Sequence, residues 1–125
     1  GTLLLLYNSF SFYFLLFTIN AAAQGDTIKA KKAKSMINKE VIVKAVVAGT
    51  KLFEKDGKST LILSLDKPYP KMPLQVIFFN KAYTDLKLQY LLYGKTIIVK
   101  GTVTVYRDNP QIVVSDVGNF TILPD

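Results

Sequence analysis

Short runs of β-branched and apolar residues, bounded by turn residues, are the feature of this sequence that most limits its fold. In residues 60–65 the leucines alternate with Thr60, Ile62 and Ser64, which is typical of a half-buried strand. Five runs predict strands: residues 41–48, 60–65, 74–80, 96–106 and 111–116. Asp56-Gly57 marks a turn, and the prolines of residues 66–73 keep that segment out of a sheet ladder. The pattern therefore predicts an all-β domain, with a short extended tail at residues 120–123.

Two helical segments accompany the predicted strands. Residues 83–93 predict a helix between the third and fourth strands, and Gly94 supplies the left-handed residue that ends it. Residues 27–37 predict an extra N-terminal helix, which Asn38 ends in the same way. The apolar face of this helix combines Ile28, Ala30, Ala33, Met36 and Ile37. We therefore expect accessory helices, with three strands before the central helix and two after it.

The first 25 residues contain no charged side chain, whereas all 16 basic and 9 acidic residues follow them. An apolar stretch that ends in small residues, here Ala21 to Ala23, is typical of a signal peptide. We expect a signal peptide over residues 1–23, with its own start lying before this sequence, and a single basic domain over residues 24–125. Cleavage after Ala23 predicts an exported protein, periplasmic or extracellular, with no stable membrane span after processing.

The alternative interpretation of this leader is an uncleaved membrane anchor. The apolar stretch over residues 2–19 is barely long enough, because a bilayer takes about 20 residues to span. Asn8, Ser9 and Ser11 also interrupt it. Its length and its polar residues favour cleavage.

The sequence contains no cysteine and no histidine. Disulfides, thiolate metal sites and the commonest zinc sites are therefore excluded, as are Ser-His and Cys-His nucleophile pairs. The aspartates are scattered over loops and strand ends, and no Gly-rich phosphate loop occurs. We predict a binding protein rather than an enzyme, without catalytic residues, metal or cofactor.

Four segments of the chain resemble one known family. They are residues 38–43, 65–70, 93–106 and 110–114, and the last two have the pattern of the final barrel strands. From about residue 34 to residue 123 the chain resembles the OB (oligonucleotide/oligosaccharide-binding) nucleic-acid-binding domains, in particular small exported bacterial ones. The resemblance implies a five-stranded Greek-key barrel with a helix between strands three and four. Ala45 departs from it, because such proteins often have glycine there, whereas Gly101 fits the bend that closes a small barrel.

The resemblance also implies where a ligand binds. In OB folds the binding surface lies on strands two and three, between the loop after strand one and the loop between strands four and five. Single-stranded nucleic acid needs cations along its phosphates and flat side chains that stack on its bases. Nine residues at these positions are candidate ligand-binding residues: Lys51, Phe53, Lys58, Tyr69, Lys71, Phe79, Tyr106, Arg107 and Gln111. Phe78 and Phe79 are adjacent, so one of them must face the core, and Phe79 is predicted to face outward if Val76 and Phe78 point inward.

Several of these residues also have a purely structural interpretation. Tyr106 could cover the end of the barrel, and Tyr69 could pack its loop down onto the sheet. The lysines from Lys29 to Lys34 form the densest positive cluster, but a lysine-rich helix face is most often a solvated surface. The same cluster could attract phosphates or an anionic membrane without specificity.

The leading functional hypothesis is an exported OB-fold module that binds single-stranded DNA or RNA by electrostatics and aromatic stacking. The alternative is a periplasmic interaction or structural protein. In that case the same barrel face binds a peptide, a glycan or another envelope component, or no ligand at all. Salt dependence separates the two hypotheses, because binding to phosphates releases counterions and weakens steeply with salt.

Overall fold

The computed structural model describes residues 26–79 and 88–125, and its architecture is mostly β. The strands are β1 Glu40–Lys55, β2 Lys58–Leu65, β3 Leu74–Phe78, β4 Thr96–Thr102, β5 Thr104–Tyr106, β6 Asn109–Val114 and β7 Phe120–Ile122. The helices are a 3₁₀ helix at Ala30–Ser35, the α-helix α1 at Leu88–Leu92 and a 3₁₀ turn at Val117–Asn119. The predicted signal peptide and residues 80–87 lie outside the described residues.

One curled sheet contains all seven strands, in the order β5-β6-β3-β2-β1-β4-β7. Strand β1 serves both halves of this sheet, since its first half pairs with β4 and its second half with β2. The register of the second pairing shifts between Val47 and Gly49, which marks a β-bulge. Because a bulge bends a strand and increases its twist, β1 continues to Lys55 instead of ending near residue 48. The result is a curled sheet consistent with an OB-like barrel.

The predicted count of five strands was wrong, because the predicted fourth strand is divided. Strand β4 pairs with β1, whereas β5 pairs with β6, which runs parallel to β3. A single stretch of chain thus connects the two halves of the sheet through the bend after Gly101. A Cβ at Gly101 would lie only 2.5 Å from Cγ2 of Ile112, so a glycine there lets the two strands approach. The predicted tail also forms a strand, β7, which pairs with β4.

The hydrophobic core lies on the inner side of the curled sheet. Leu61, Leu63 and Leu65 of β2 are fully buried, as their alternation predicted. Phe78 at the end of β3 is also fully buried, and its ring meets that of Phe120 edge to face at 5.0 Å between centroids. Burying a large apolar side chain contributes about 1.5–3 kcal/mol. Burial of these side chains therefore fixes the positions of the residues that alternate with them on the outward side of the same strands.

The N-terminal helix is a 3₁₀ helix at Ala30–Ser35, and the prediction of a helix over residues 27–37 was wrong in its extent. With three residues per turn, Ala30 and Ala33 fall on one side of a 3₁₀ helix, and both are fully buried. The flanking residues are extended. Two parallel bridges join Ile28 to Val43 and Ile37 to Val103. Hydrogen bonds to distant strands therefore replaced the outer turns of the expected helix.

The predicted helix end at Gly94 is confirmed, whereas the N-terminal helix ends at Ser35, with Met36 as its C-cap, and not at Asn38. Asn38 and Gly94 both have positive φ, 67° and 82° respectively. The amide of Gly94 donates to the carbonyl of Val47, which attaches the end of α1 to the bulge of β1. Only Leu88–Leu92 of the predicted central helix is described. Within the described ranges, no helix has the length and apolar character needed to cross a bilayer.

Candidate binding face

The outward side of β1, β2, β3, β6 and β5 forms one continuous surface, which we term the candidate face. Its side chains alternate with the buried leucines and valines of the same strands. Cross-strand register places Lys51, Ile62, Ile77 and Val113 in one row. The neighbouring row consists of Gly49, Ser64, Gln75, Gln111 and Thr104. Sequence reasoning predicted that Gln75, Ile77 and Phe79 point away from Val76 and Phe78, and the register agrees for the paired residues.

The β1–β2 hairpin brings together a cation and an aromatic ring at one border of the face. Lys51 and Phe53 lie two residues apart on one strand and so point the same way. The ammonium nitrogen of Lys51 is 4.6 Å from the centroid of the Phe53 ring, within cation–π range. Lys58 begins β2 opposite Lys55 and is exposed. A shallow hollow at this hairpin is lined by Phe53, Lys55, Asp56, Lys58 and Thr60.

The β5–β6 hairpin repeats this arrangement at the opposite border. The guanidinium carbon of Arg107 is 5.3 Å from the centroid of the Tyr106 ring. Tyr106 is 56% exposed, which argues against the interpretation that it covers the end of the barrel. Gln111 is half-buried and lies between Thr104 and Gln75 in the sheet. The two hairpins thus place a ring and a cation on each side of the candidate face.

The loop between β2 and β3 forms a third border. The Val46 amide donates to the Asp66 carboxylate at 3.1 Å, and the Asp66 amide donates to the Val46 carbonyl at 2.7 Å. Together these bonds attach the start of the loop to β1. A Cβ at Gly49 would lie 3.8 Å from Cα of Pro68, so the loop passes close to the outward row. Tyr69 is 71% exposed, which contradicts the interpretation that it packs the loop down, and Lys71 is exposed beside it.

The centre of the candidate face is aliphatic rather than aromatic. Ile77 is only 5% exposed although it points outward, because Ile62 and Val113 flank it in the neighbouring strands. Phe79 follows directly after β3 and is 61% exposed. Sequence reasoning predicted the rings, the cations and the outward Ile62 and Ile77, but it missed Val113 and the two cation–ring pairs. The spacing of Lys51 and Phe53 was a detectable signal for one pair, whereas the row depends on strand register.

The acidic residues of the face offer no metal site. In the part of the chain that the structure describes, no three Asp or Glu side chains are close enough together to hold an ion. The groups that do converge on the face are cations, rings, amides and aliphatic side chains. This chemistry suits binding of an anionic or aromatic ligand.

Comparison with known proteins supports a type of fold but does not identify a family. No family model matches the sequence, and no curated protein matches it either. Among solved structures, the chain is similar to a lipoprotein of Klebsiella pneumoniae subsp. pneumoniae MGH 78578 to which nucleic-acid binding is ascribed. The TM-score is 0.51 at 17% identity, over 84% of this chain and 97% of the lipoprotein.

Two further structures match less well. One is the Stn1–Ten1 complex of S. pombe, with TM-score 0.42 and 19% identity over 69% of this chain and 59% of that one. The other is a Leishmania major Friedlin protein assigned as an aspartyl-tRNA synthetase, with TM-score 0.45 and 12% identity over 78% of this chain and 20% of that one. The Klebsiella similarity and the observed topology together support a mostly-β fold of the OB-like barrel type.

Proposed function

We propose that this protein is an exported OB-fold module that binds single-stranded DNA or RNA across the candidate face. The observation that carries the proposal is the pairing of a cation with an exposed ring on both hairpins that border the face. The lipoprotein with the similar fold, to which nucleic-acid binding is ascribed, is consistent with it.

The proposed roles of the individual residues follow from the chemistry of a nucleotide. Lys51, Lys58, Lys71 and Arg107 would neutralise phosphates, and they border the face on three sides. The rings of Phe53, Phe79 and Tyr106 would stack on bases, a contact that contributes about 1–3 kcal/mol per base and is tolerant of sequence. Bases in a duplex are already stacked on one another, so exposed rings favour a single strand.

The size of the face fits a short stretch of nucleic acid. Between Phe53 on β1 and Tyr106 on β5 the sheet order is β1-β2-β3-β6-β5. Four steps between strands correspond to roughly 19 Å along the sheet. Single OB folds cover about 4–16 nucleotides, and we expect the lower part of that range here.

Export is the second element of the proposal. An apolar, uncharged stretch precedes the domain and ends in Ala21 to Ala23, so the leader over residues 1–23 is removed as the domain leaves the cytoplasm. The ligand would then be extracellular or periplasmic nucleic acid. N-terminal sequencing of the secreted protein tests this element separately, and a chain beginning at Gln24 is the expected result.

Fluorescence anisotropy of labelled single-stranded DNA and RNA tests the binding. The chain of residues 24–125 is used, because it includes the hydrophobic core cluster of the described residues together with Ile28 and Phe120, which pack against it. Phe79→Ala is compared with Tyr90→Ala, which removes an exposed ring from α1, away from the face. We expect the first variant to bind roughly 5- to 150-fold more weakly, as one lost stacking contact implies, and the second to bind normally.

The salt dependence of the same titrations completes the test. Binding that weakens with salt and with loss of Phe79 supports the proposal. Binding that weakens with salt but is equal in both variants would refute stacking on the face. Absence of binding at low salt would refute nucleic-acid binding altogether.

The aliphatic row supports a second candidate function. Ile62 is partly exposed and Val113 is exposed, on either side of the buried Ile77, and they give the middle of the face an apolar surface that suits a peptide. An exported protein or glycan partner would bind there with little salt dependence. Isothermal titration with envelope peptides and glycans, followed by Val113→Lys to interrupt this apolar surface, distinguishes this function from the first.

A further inference from the structure

The densest positive charge of the molecule lies outside the candidate face, on the N-terminal 3₁₀ helix. Lys29, Lys31, Lys32 and Lys34 are all exposed, and we term these four residues the lysine patch. Together with Ile28 and Ser35 they line a shallow open hollow. None of the four forms an ion pair within the described residues, in which the observed salt bridge joins Lys95 to Asp125.

The helix holds these lysines in a fixed arrangement. Its three-residue period places Lys31 and Lys34 on one ridge and Lys32 on another, while the third side is buried through its alanines. Lys29 is the extended residue that directly precedes the helix. At the start of the helix, Ile28 accepts from the Lys44 amide at 3.1 Å and donates to the Ile42 carbonyl at 2.8 Å. Unlike a flexible tail, the patch is therefore a surface fixed to the barrel.

The patch lies on a helix whose buried alanines join the hydrophobic core, whereas the candidate face is the outward side of the sheet. The anchor of the patch, Ile28, bridges to the first half of β1, which pairs with β4. The candidate face includes only the second half of β1, which lies beyond the bulge and pairs with β2. One ligand can therefore bind the face while the patch contacts something else.

The composition around the patch favours an extended anionic surface, rather than nucleic acid, as its ligand. No aromatic residue occurs between residue 26 and Phe53, so the region has no ring on which a base could stack. Residues 26–46 contain six lysines, no arginine, and only Asp26 and Glu40 as acids. The patch therefore offers compact positive charges without a ring, and this combination suits a densely anionic surface.

The position of the patch in the chain indicates which anionic surface it contacts. The uncharged apolar stretch of residues 1–25 ends four residues before Lys29, and four extended residues span at most about 14 Å. During export, before the leader is removed, that stretch lies in the bilayer, and the patch is then close to the headgroups. Each Lys near an anionic membrane surface contributes about 1 kcal/mol of attraction. We propose that the lysine patch binds the anionic headgroups of a phospholipid bilayer.

Co-sedimentation with vesicles tests this proposal. Residues 24–125 are mixed with phosphatidylcholine vesicles and with equimolar phosphatidylcholine–phosphatidylglycerol vesicles at low salt. Omitting the apolar stretch ensures that insertion of the leader does not contribute. We expect binding to the anionic vesicles only, and a loss of about tenfold or more when Lys29, Lys31, Lys32 and Lys34 are all changed to Gln.

A matched variant removes the same number of charges from the candidate face. It carries Lys51→Gln, Lys58→Gln, Lys71→Gln and Arg107→Gln, and we expect it to retain vesicle binding. Circular dichroism confirms that both variants are folded, as expected for exposed positions. Equal loss of vesicle binding in both variants would overturn the proposal, because net charge alone would then explain it.

Two other outcomes also overturn the proposal. One is failure of the parent chain to bind anionic vesicles at low salt. The other is a patch variant that loses single-stranded DNA binding but keeps vesicle binding, which would assign the patch to nucleic acid. Because vesicle binding and DNA binding are measured separately, failure of this proposal is distinguishable from failure of the proposed function.

Discussion

The two hairpins that border the candidate face have the same backbone geometry but different turn residues. In the β1–β2 hairpin the turn is Asp56-Gly57, with φ of 54° and 75°, and in the β5–β6 hairpin it is Arg107-Asp108, with φ of 50° and 66°. Positive φ at both central residues is the geometry of a type I′ turn, which favours Asn-Gly and Asp-Gly. The first turn follows this preference and the second does not.

The difference leaves an unfavourable backbone conformation at the first position of the second turn. An L-residue in the left-handed region costs roughly 1–2 kcal/mol, and asparagine tolerates that region far better than arginine does. Arg107 nevertheless occupies the position, with its guanidinium over the Tyr106 ring. Non-glycine residues with unfavourable backbone conformations cluster at functional sites. This observation supports a role for Arg107 in the proposed binding.

The largest expected effect tests whether both hairpins contribute rings to binding. The double variant Phe53→Ala with Tyr106→Ala removes one exposed ring from each hairpin. Losing two stacking contacts should weaken single-stranded DNA binding by about 2–6 kcal/mol, measured by anisotropy. The matched control, Tyr90→Ala with Tyr93→Ala, removes two exposed rings near α1 and should bind normally. If both double variants bind alike, the two hairpins do not form a binding surface.

The next largest effect concerns the close approach of backbone and side chain at Gly101, which only the second hairpin requires. Gly101→Ala would place a methyl group 2.5 Å from Cγ2 of Ile112, in the bend that leads into β5. Overpacking of this kind should lower the free energy of unfolding by roughly 1–3 kcal/mol, measured by chemical denaturation. In a double-mutant cycle with Ile112→Ala, the two losses should be less than additive, because the second change removes the contacted atom. Full additivity would contradict this explanation.

A smaller effect is expected from single substitutions in the two turns, which can be compared directly. Gly57→Ala meets no atom within 4 Å, so only its positive φ opposes the change, and we expect a loss of about 1 kcal/mol of stability. Arg107→Asn should have the opposite sign and gain up to about 1 kcal/mol, while weakening DNA binding. Thermal unfolding and anisotropy on the same samples measure both. A variant at Arg107 that gains stability and keeps full affinity would remove the functional argument.

The smallest effect is on salt dependence. For single strands, each neutralised phosphate adds about 0.7 to the slope of log affinity against log salt. Lys51→Gln and Arg107→Gln should each reduce the slope by about that amount, whereas Lys29→Gln in the lysine patch should leave it unchanged. A reduced slope in the Lys29 variant would show that nucleic acid also contacts the patch.

Local patterns in the sequence determined much of this structure. The alternation in residues 60–65 predicted which leucines are buried, and the same two-residue period in residues 74–80 predicted opposite sides for Phe78 and Phe79. Asn38, Gly94 and the Asp56-Gly57 turn were predictable in the same way. Each of these features depends on side-chain period or on the φ that a single residue tolerates, which are properties of neighbours along the chain.

Tertiary structure alone decided the remaining features. The division of the fourth strand follows from pairing β4 with β1 and β5 with β6, which no local pattern encodes. The N-terminal segment became a 3₁₀ helix because Ile28 and Ile37 bridge to distant strands. The positive φ of Arg107, the two cation–ring pairs across the face and the row from Lys51 to Val113 depend on register. Register is set by packing between segments far apart in the chain. The candidate residues could therefore be identified from the sequence, whereas their arrangement on one face depends on the tertiary structure.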